Sequence, residues 1–277
     1  MTEQQINFFS TFGYLSFPGL MADRIEDIES AFEQVWQEHG GGHNGKQHEG
    51  KARSCIVPFI DQSEYLCSLL DDPRILDIAI TLLGDDFNYM GSDGNYYVGD
   101  TGWHSDGTHK AEDPMHIKIA FYLDSLTGST GALRVIPGSH YLFTDRYADR
   151  LQQDIRQSQE CWAIHEQNVP AIIIETNPGD LVLFNHNTKH ASFGGGKRRR
   201  MFTVNMCQRY PADRLEALRE YIGKSARFWI QRKYSEQMVE TATPERWKHL
   251  EQVRANDSHL AELSQQARED MAEPSRG

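Results

Sequence analysis

Hydrophobic and polar positions change rhythm twice along this chain. Up to Gly84 the apolar residues recur at three- and four-residue steps. From Phe87 to Tyr210 they come in short runs separated by turn residues, and beyond Tyr210 the helical rhythm returns among many charges. The clearest helical stripe covers residues 22–38. Ile25, Ile28, Phe32, Val35 and Trp36 share one face while Glu26, Glu29 and Glu33 take the other. Further helices are expected over 63–70 and 73–84, the second stopped by Gly84. Residues 40–51 are glycine-rich and polar, which reads as a mobile loop suited to a lid.

Strands are expected near 86–90, 94–99, 102–105, 115–123, 132–136, 170–175, 181–185 and 199–208, with turns at 92–94, 128–131, 137–139 and 177–180. Residues 143–158 interrupt them as a helix. So many short strands in succession predict a jelly roll, here with a core over about 86–210. Helices follow at 214–222, 226–233 and 244–271, and the last residues should fray. The expected fold class is mainly β with added helices, in one domain over 1–277, with a C-terminal helical extension at about 211–272. Within that extension Phe228, Trp229, Val239, Trp247, Leu250 and Val253 are apolar anchors. They suit either a homodimer seam or packing across the core of the same chain.

Charge narrows the partners. A formal net charge of −12 argues against nucleic acid and against an anionic membrane, both of which need a basic footprint. No apolar run approaches the roughly 18 residues that span a bilayer. The polar opening Thr2-Glu3-Gln4-Gln5 is unlike a signal peptide. Cys55, Cys67, Cys161 and Cys207 are scattered without a CxxC pair, which suits reduced thiols in a cytoplasm. A small-molecule substrate is the partner class left.

The candidate chemistry begins at Trp103-His104-Ser105-Asp106. A His and an Asp two apart on a strand point the same way. A distant third ligand, His190, would complete two imidazoles and one carboxylate, the facial set that binds non-haem Fe(II) and leaves positions open. His186 and His140 compete for that place, His186 being one residue off the pattern and expected to face outward. His109 and His116 stay ambiguous. His116 and Lys118 share a strand face, so Lys118 is either a contact for substrate or cosubstrate or a plain surface lysine. Trp103 is expected to pack beside the metal, and Arg134 to form an ion pair.

Three segments carry these residues: Asp100 to Gly107, Gly131-Ala132-Leu133-Arg134-Val135-Ile136-Pro137-Gly138-Ser139-His140, and Pro178-Gly179-Asp180 running on to His190-Ala191-Ser192 and Arg199. In this order and spacing, with Gln5-Ile6-Asn7-Phe8-Phe9 ahead of them, they resemble the phytanoyl-CoA dioxygenase family of Fe(II)/2-oxoglutarate oxygenases. The resemblance covers about residues 4–210. It implies a cupin-like double-stranded β-helix, Fe(II) held by His104, Asp106 and His190, and 2-oxoglutarate and O2 as cosubstrates. It also implies that Arg199 grips the distal carboxylate of 2-oxoglutarate with help from the Ser192 hydroxyl. A guanidinium fork suits that task because it binds a carboxylate through two parallel bonds. Strand alternation puts Arg199, Met201, Thr203 and Asn205 on the more polar face, with Arg200 as the rival and Arg198 behind it.

The implied reaction is hydroxylation, or desaturation, of an unactivated C–H bond with release of succinate and CO2. The acidic ligand Asp106 argues against halogenation. Arg53, Asn95 and Tyr97 are candidate substrate contacts, and Arg53 would suit a small anionic molecule. Two other classes stay open: a non-catalytic metal-binding jelly-roll protein, and a zinc-dependent hydrolase, since zinc accepts the same donors. Neither explains an arginine placed after the distal histidine.

Overall fold

A computed structural model describes residues 1–108, 110, 112–141 and 145–277. His109 therefore lies outside the described residues. Two antiparallel sheets are formed by β1 (Tyr14–Phe17), β2 (Ser54–Ile56), β3 (Asn88–Tyr97), β4 (Thr101–His104), β5 (His116–Tyr122), β6 (Leu133–Val135), β7 (Ile172–Ile174), β8 (Leu181–Asn185), β9 (His190–Ser192) and β10 (Arg199–Cys207). The larger sheet runs β1-β8-β5-β10-β3-β2 and the smaller β4-β9-β6-β7. Between them Ala120, Tyr122, Phe184 and Met201 from the larger sheet meet Leu133, Val135 and Ile174 from the smaller. This is the expected mainly β jelly roll with added helices.

Alternation along β10 divides its residues as the sequence implies. Phe202, Val204 and Met206 enter the large core under the helices. Arg199, Met201, Thr203 and Asn205 turn the other way, into a cavity. The helices are α1 (Glu3–Phe12), α2 (Ile25–Glu38), α3 (Glu64–Cys67), α4 (Pro73–Leu83), α5 (Asp145–Arg156), α6 (Ser158–Trp162), α7 (Leu215–Gly223), α8 (Glu236–Glu240), α9 (Pro244–Ala255) and α10 (Leu260–Asp270). The apolar stripe of α2 covers the outer face of the larger sheet. Its Phe32 meets Phe59, Tyr96 and Phe202, and Trp36 stacks on Tyr96 with ring centroids 4.2 Å apart. Burying each such Phe stabilises the fold by about 1.5–3 kcal/mol.

Several expectations need correction. Residues 86–90 and 94–99 are not two strands joined by a turn: Ser92, Asp93 and Gly94 stay in register with Val204, Thr203 and Phe202 inside β3. A side chain has no room at Gly94, where a Cβ would stand 2.0 Å from the Phe59 ring. Gly94→Ala is therefore expected to destabilise by about 1–3 kcal/mol through overpacking, read as a lower urea midpoint. The jelly roll also begins before residue 86, because β1 pairs with β8 and β2 with β3. Strands β1, β2 and β9 are four residues or fewer, too short to show a period.

The loop at 40–51 is tied down, in contrast to the expected mobile lid. His43 is buried against the Cys55 carbonyl, and His48 sits between the Ser54 hydroxyl and the Lys197 carbonyl. In place of the helix expected over 226–233, a 3-10 turn covers Lys224–Phe228 and is ended by Trp229 in the left-handed region. The helix expected over 244–271 is two helices broken at Asn256 and Asp257, where the buried Asp257 carboxylate accepts from Arg232 and from the Lys233 backbone. The tail does not fray. The Pro274 carbonyl meets His43, the Ser275 amide donates to the Arg227 carbonyl, and Arg276 donates to the Arg53 carbonyl. Leu250 and Val253 are buried in their own chain's core, with Val239 packed beside them, while Trp247 stays exposed. No described helix is long and apolar enough to cross a membrane.

Candidate active site

The two sheets open at one end into a cavity of about 660 Å³. Strands β4 and β9 bring its histidines together, since His104 and His190 are direct cross-strand partners. Their ring centroids lie 4.2 Å apart. Asp106 follows β4, and its amide and that of Gly107 donate to the His186 carbonyl, which fixes the turn. The Asp106 carboxylate comes 3.9 Å from Nε2 of His104 and 3.7 Å from Nε2 of His190. Donor atoms of all three residues lie within 4.8 Å of one another. Bonds of about 2.1 Å to an ion place neighbouring ligands about 3 Å apart, which small side-chain rotations would reach.

Hydrogen bonds behind the ligands set their chemistry. Nδ1 of His104 lies 2.8 Å from the Gly102 carbonyl, and Nδ1 of His190 lies 2.9 Å from the Thr188 carbonyl. A carbonyl only accepts, so each Nδ1 carries the proton and each Nε2 presents a lone pair. Burial, and then the neighbouring His104, push His190 down to about 3, so it is neutral as a ligand must be. Burial by itself would raise the Asp106 carboxyl. Lys118 and the surrounding imidazoles outweigh it and hold the group well below the usual carboxylate range. Lys118 donates to Asp106 at 2.7 Å, so its ammonium braces a candidate ligand and is not a plain surface charge.

Arg199 is 5% exposed and lines the cavity. Its Nε and Nη1 have no hydrogen-bond partner among the described residues, and the guanidinium lies over the Tyr97 ring at 5.0 Å. Its pocket depends on Gly131, where a Cβ would stand 1.8 Å from Nη1. Buried donors without partners are costly and call for an acceptor ligand. A carboxylate meets that need, so these residues fit 2-oxoglutarate. Arg200 turns the other way and is engaged by Asp124, Glu29 and Glu33. Arg198 lies over Tyr96 and pairs with Glu33. Ser192 is buried on the cavity wall, where its hydroxyl donates to the Gly131 carbonyl at 3.2 Å.

The remaining sites divide. Arg53 and Tyr97 line the cavity, the Arg53 guanidinium 4.1 Å above the Tyr97 ring. Asn95 does not line it. The Asn95 side chain is buried behind Arg53, accepting from it at 2.7 Å and donating to Asp93 at 2.6 Å, so it is a brace rather than a contact. His186 does not face outward as expected. It is 3% exposed between the main cavity and a neighbouring one, because the turn carrying Asp106 folds over it. His116 lines only the neighbouring cavity and meets the Tyr210 hydroxyl at 2.9 Å, and His140 meets the Ser10 carbonyl. Trp103 is buried on the wall with its indole N–H on the Glu166 carbonyl. Arg134 makes no ion pair among the described residues, donating to the carbonyls of Gln167 and Gly128. Sequence reasoning missed Tyr122, Phe184, Tyr221 and the basic residues Lys224, Arg227 and Lys233, all of which line the cavity. The last four come from the C-terminal extension, where no periodicity says which face meets a cavity.

Comparison with known proteins bears on this geometry. The description "phytanoyl-CoA dioxygenase" belongs to the family that matches residues 9–201. A curated relative, an ectoine dioxygenase from Sphingopyxis alaskensis, is 32% identical over 157 residues, covering 48% of this chain and 50% of the relative. The chain thus matches about half the length of that relative. Solved structures share the fold. EctD from S. alaskensis, with 2-oxoglutarate and 5-hydroxyectoine, is 24% identical at a TM-score of 0.56, covering 75% of this chain and 76% of that one. HygX from Streptomyces hygroscopicus, with nickel, 2-oxoglutarate and hygromycin B, is 14% identical at a TM-score of 0.58, covering 76% and 87%. The α-ketoglutarate-dependent carbocyclase SnoK from nogalamycin biosynthesis is 20% identical at 0.57, covering 75% and 84%. With 193 consecutive residues matched (201 − 9 + 1), this chain belongs to the phytanoyl-CoA dioxygenase family.

Proposed function

We propose that the chain is an Fe(II)- and 2-oxoglutarate-dependent dioxygenase that hydroxylates an unactivated C–H bond of a small anionic molecule, releasing succinate and CO2. The observation that carries this reading is the His104, Asp106 and His190 cluster beside a buried, unpartnered Arg199. In this reading His104, Asp106 and His190 hold the iron, and Arg199 holds the far carboxylate of 2-oxoglutarate with Ser192 beside it. Bound Fe(II) and 2-oxoglutarate supply the oxidising power, drawn from O2. The protein's part is positioning and exclusion of water. Lys118 keeps Asp106 ionised and oriented, in place of the expected contact with substrate or cosubstrate. Trp103 and Phe184 make part of the wall apolar, and Arg53 with Tyr97 offers a cationic, aromatic surface for substrate. A zinc hydrolase or a non-catalytic metal-binding jelly roll would leave the Arg199 donors without a task.

The test is anaerobic addition of Fe(II) and 2-oxoglutarate to the purified protein. A visible charge-transfer band is expected, followed on admitting O2 by slow succinate formation even without substrate. A protein that binds Fe(II) yet gives neither signal would rule the reading out, and hydrolytic turnover with zinc would replace it.

A further inference from the structure

The 3-10 turn Lys224–Phe228 and the residues after it wall the cavity with positive charge that no ion pair among the described residues takes up. Lys233 is 7% exposed and reaches the cavity beside Gly91. Its ammonium donates to the Ser225 hydroxyl at 2.8 Å, and among the described residues no carboxylate lies within ion-pairing range of it. The carboxylates that act on it from further away are already engaged. Asp61 accepts from the Tyr89 hydroxyl, Asp257 pairs with Arg232, and Asp93 accepts from Asn95. Burial outweighs these carboxylates and pulls Lys233 down to about 8. Lys224 and Arg227 flank Ser225 on the same wall and lie over the rings of Tyr221 and Phe228. A desolvated cation without a counter-ion destabilises a fold, so its presence at a cavity wall points to an anionic ligand.

This wall is distinct from the place of Arg199. Arg199 and Asn205 stand at opposite ends of the cavity-facing side of β10, about 20 Å of strand apart. Asn205 pairs with Gly91, against which Lys233 packs. We propose that Ser225 and Lys233, with Lys224 and Arg227, form a subsite for a tetrahedral dianion, the phosphate ester or phosphonate group of the substrate. The proposal rests on the dioxygenase reading above and gives its anionic substrate a chemical class. Three cations and a hydroxyl, none of the cations in an ion pair among the described residues, match a doubly charged group. Ammonium donors on separate stems also suit the spread oxygens of a tetrahedron, whereas a planar carboxylate suits one guanidinium fork. The tail closes over this end, bonded to Arg227 on one side and to Arg53 on the other.

Calorimetric titration of methylphosphonate into anaerobic protein loaded with Fe(II) and saturating 2-oxoglutarate tests this, since 2-oxoglutarate then occupies Arg199. Saturable binding, tighter than that of acetate, is expected. Lys233→Met should weaken it about tenfold or more, the loss expected for a charge-assisted hydrogen bond. Arg227→Ala, on an exposed side chain, should weaken it in the same direction and serves if Lys233→Met does not fold. Binding of acetate as tight as methylphosphonate, no binding at all, or affinity unchanged in both variants overturns the subsite. The charge-transfer band reports separately: a protein with the band but no methylphosphonate affinity keeps the dioxygenase reading and loses only this one.

Discussion

His190→Ala is expected to abolish both the anaerobic chromophore and succinate formation, leaving a folded protein. The expectation follows from how much this one side chain does. His190 is the cross-strand partner of His104, is buried, and is kept neutral with its proton on Nδ1. Losing it would remove one of three ligands and open a gap between two short strands. Among the described residues no nearby histidine substitutes. His186 is close, yet it sits behind the turn that carries Asp106, and His140 faces the N-terminal helix. Circular dichroism of the variant should match the parent. Retained succinate formation at the parental rate would move the metal elsewhere.

Arg199→Ala is expected to raise the KM for 2-oxoglutarate by about 30- to 1,000-fold. This corresponds to about 2–4 kcal/mol for truncating one partner of a buried charge pair. Fe(II) binding should change little, because Arg199 is not in the ligand cluster. Arg200→Ala gives the internal control. Its guanidinium is held by Asp124, Glu29 and Glu33 on the helix side of the sheet, so its loss should lower stability and leave the KM alone. Steady-state kinetics in 2-oxoglutarate with denaturant midpoints separates the two. If Arg200→Ala carried the KM effect, the assignment by strand face would be wrong.

The meeting of His104, Asp106 and His190 was legible because its signal is local chemistry plus one long-range pattern. His104 and Asp106 are two apart at a strand end, and the third segment supplied His190. That Arg199 faces the cavity and Arg200 does not was legible too, because alternation is a hard geometric rule and β10 is long enough to obey it. What was hidden depended on contacts distant in sequence. Asn95 reads as a plausible cavity residue until Arg53 is seen lying over it. Lys118 reads as a surface lysine or a ligand contact until Asp106 is seen at its tip. Strands of three and four residues, such as β2 and β9, carry no period, and only their partners make them strands. Lys233 was the least visible, one lysine in a charged stretch, since nothing in its neighbours foretells that Ser225 and Gly91 will enclose it.

Because His104 and His190 face each other across a ladder with only two registered pairs, the candidate site is woven into the backbone of the small sheet. Changes there would disturb architecture and chemistry together. The cationic wall comes from residues 224–233, beyond the stretch the family match covers. If the proposed subsite holds substrate, selectivity would lie on a segment free to diverge apart from the family-matched core, so that one scaffold could acquire new substrates by rewriting its appendage.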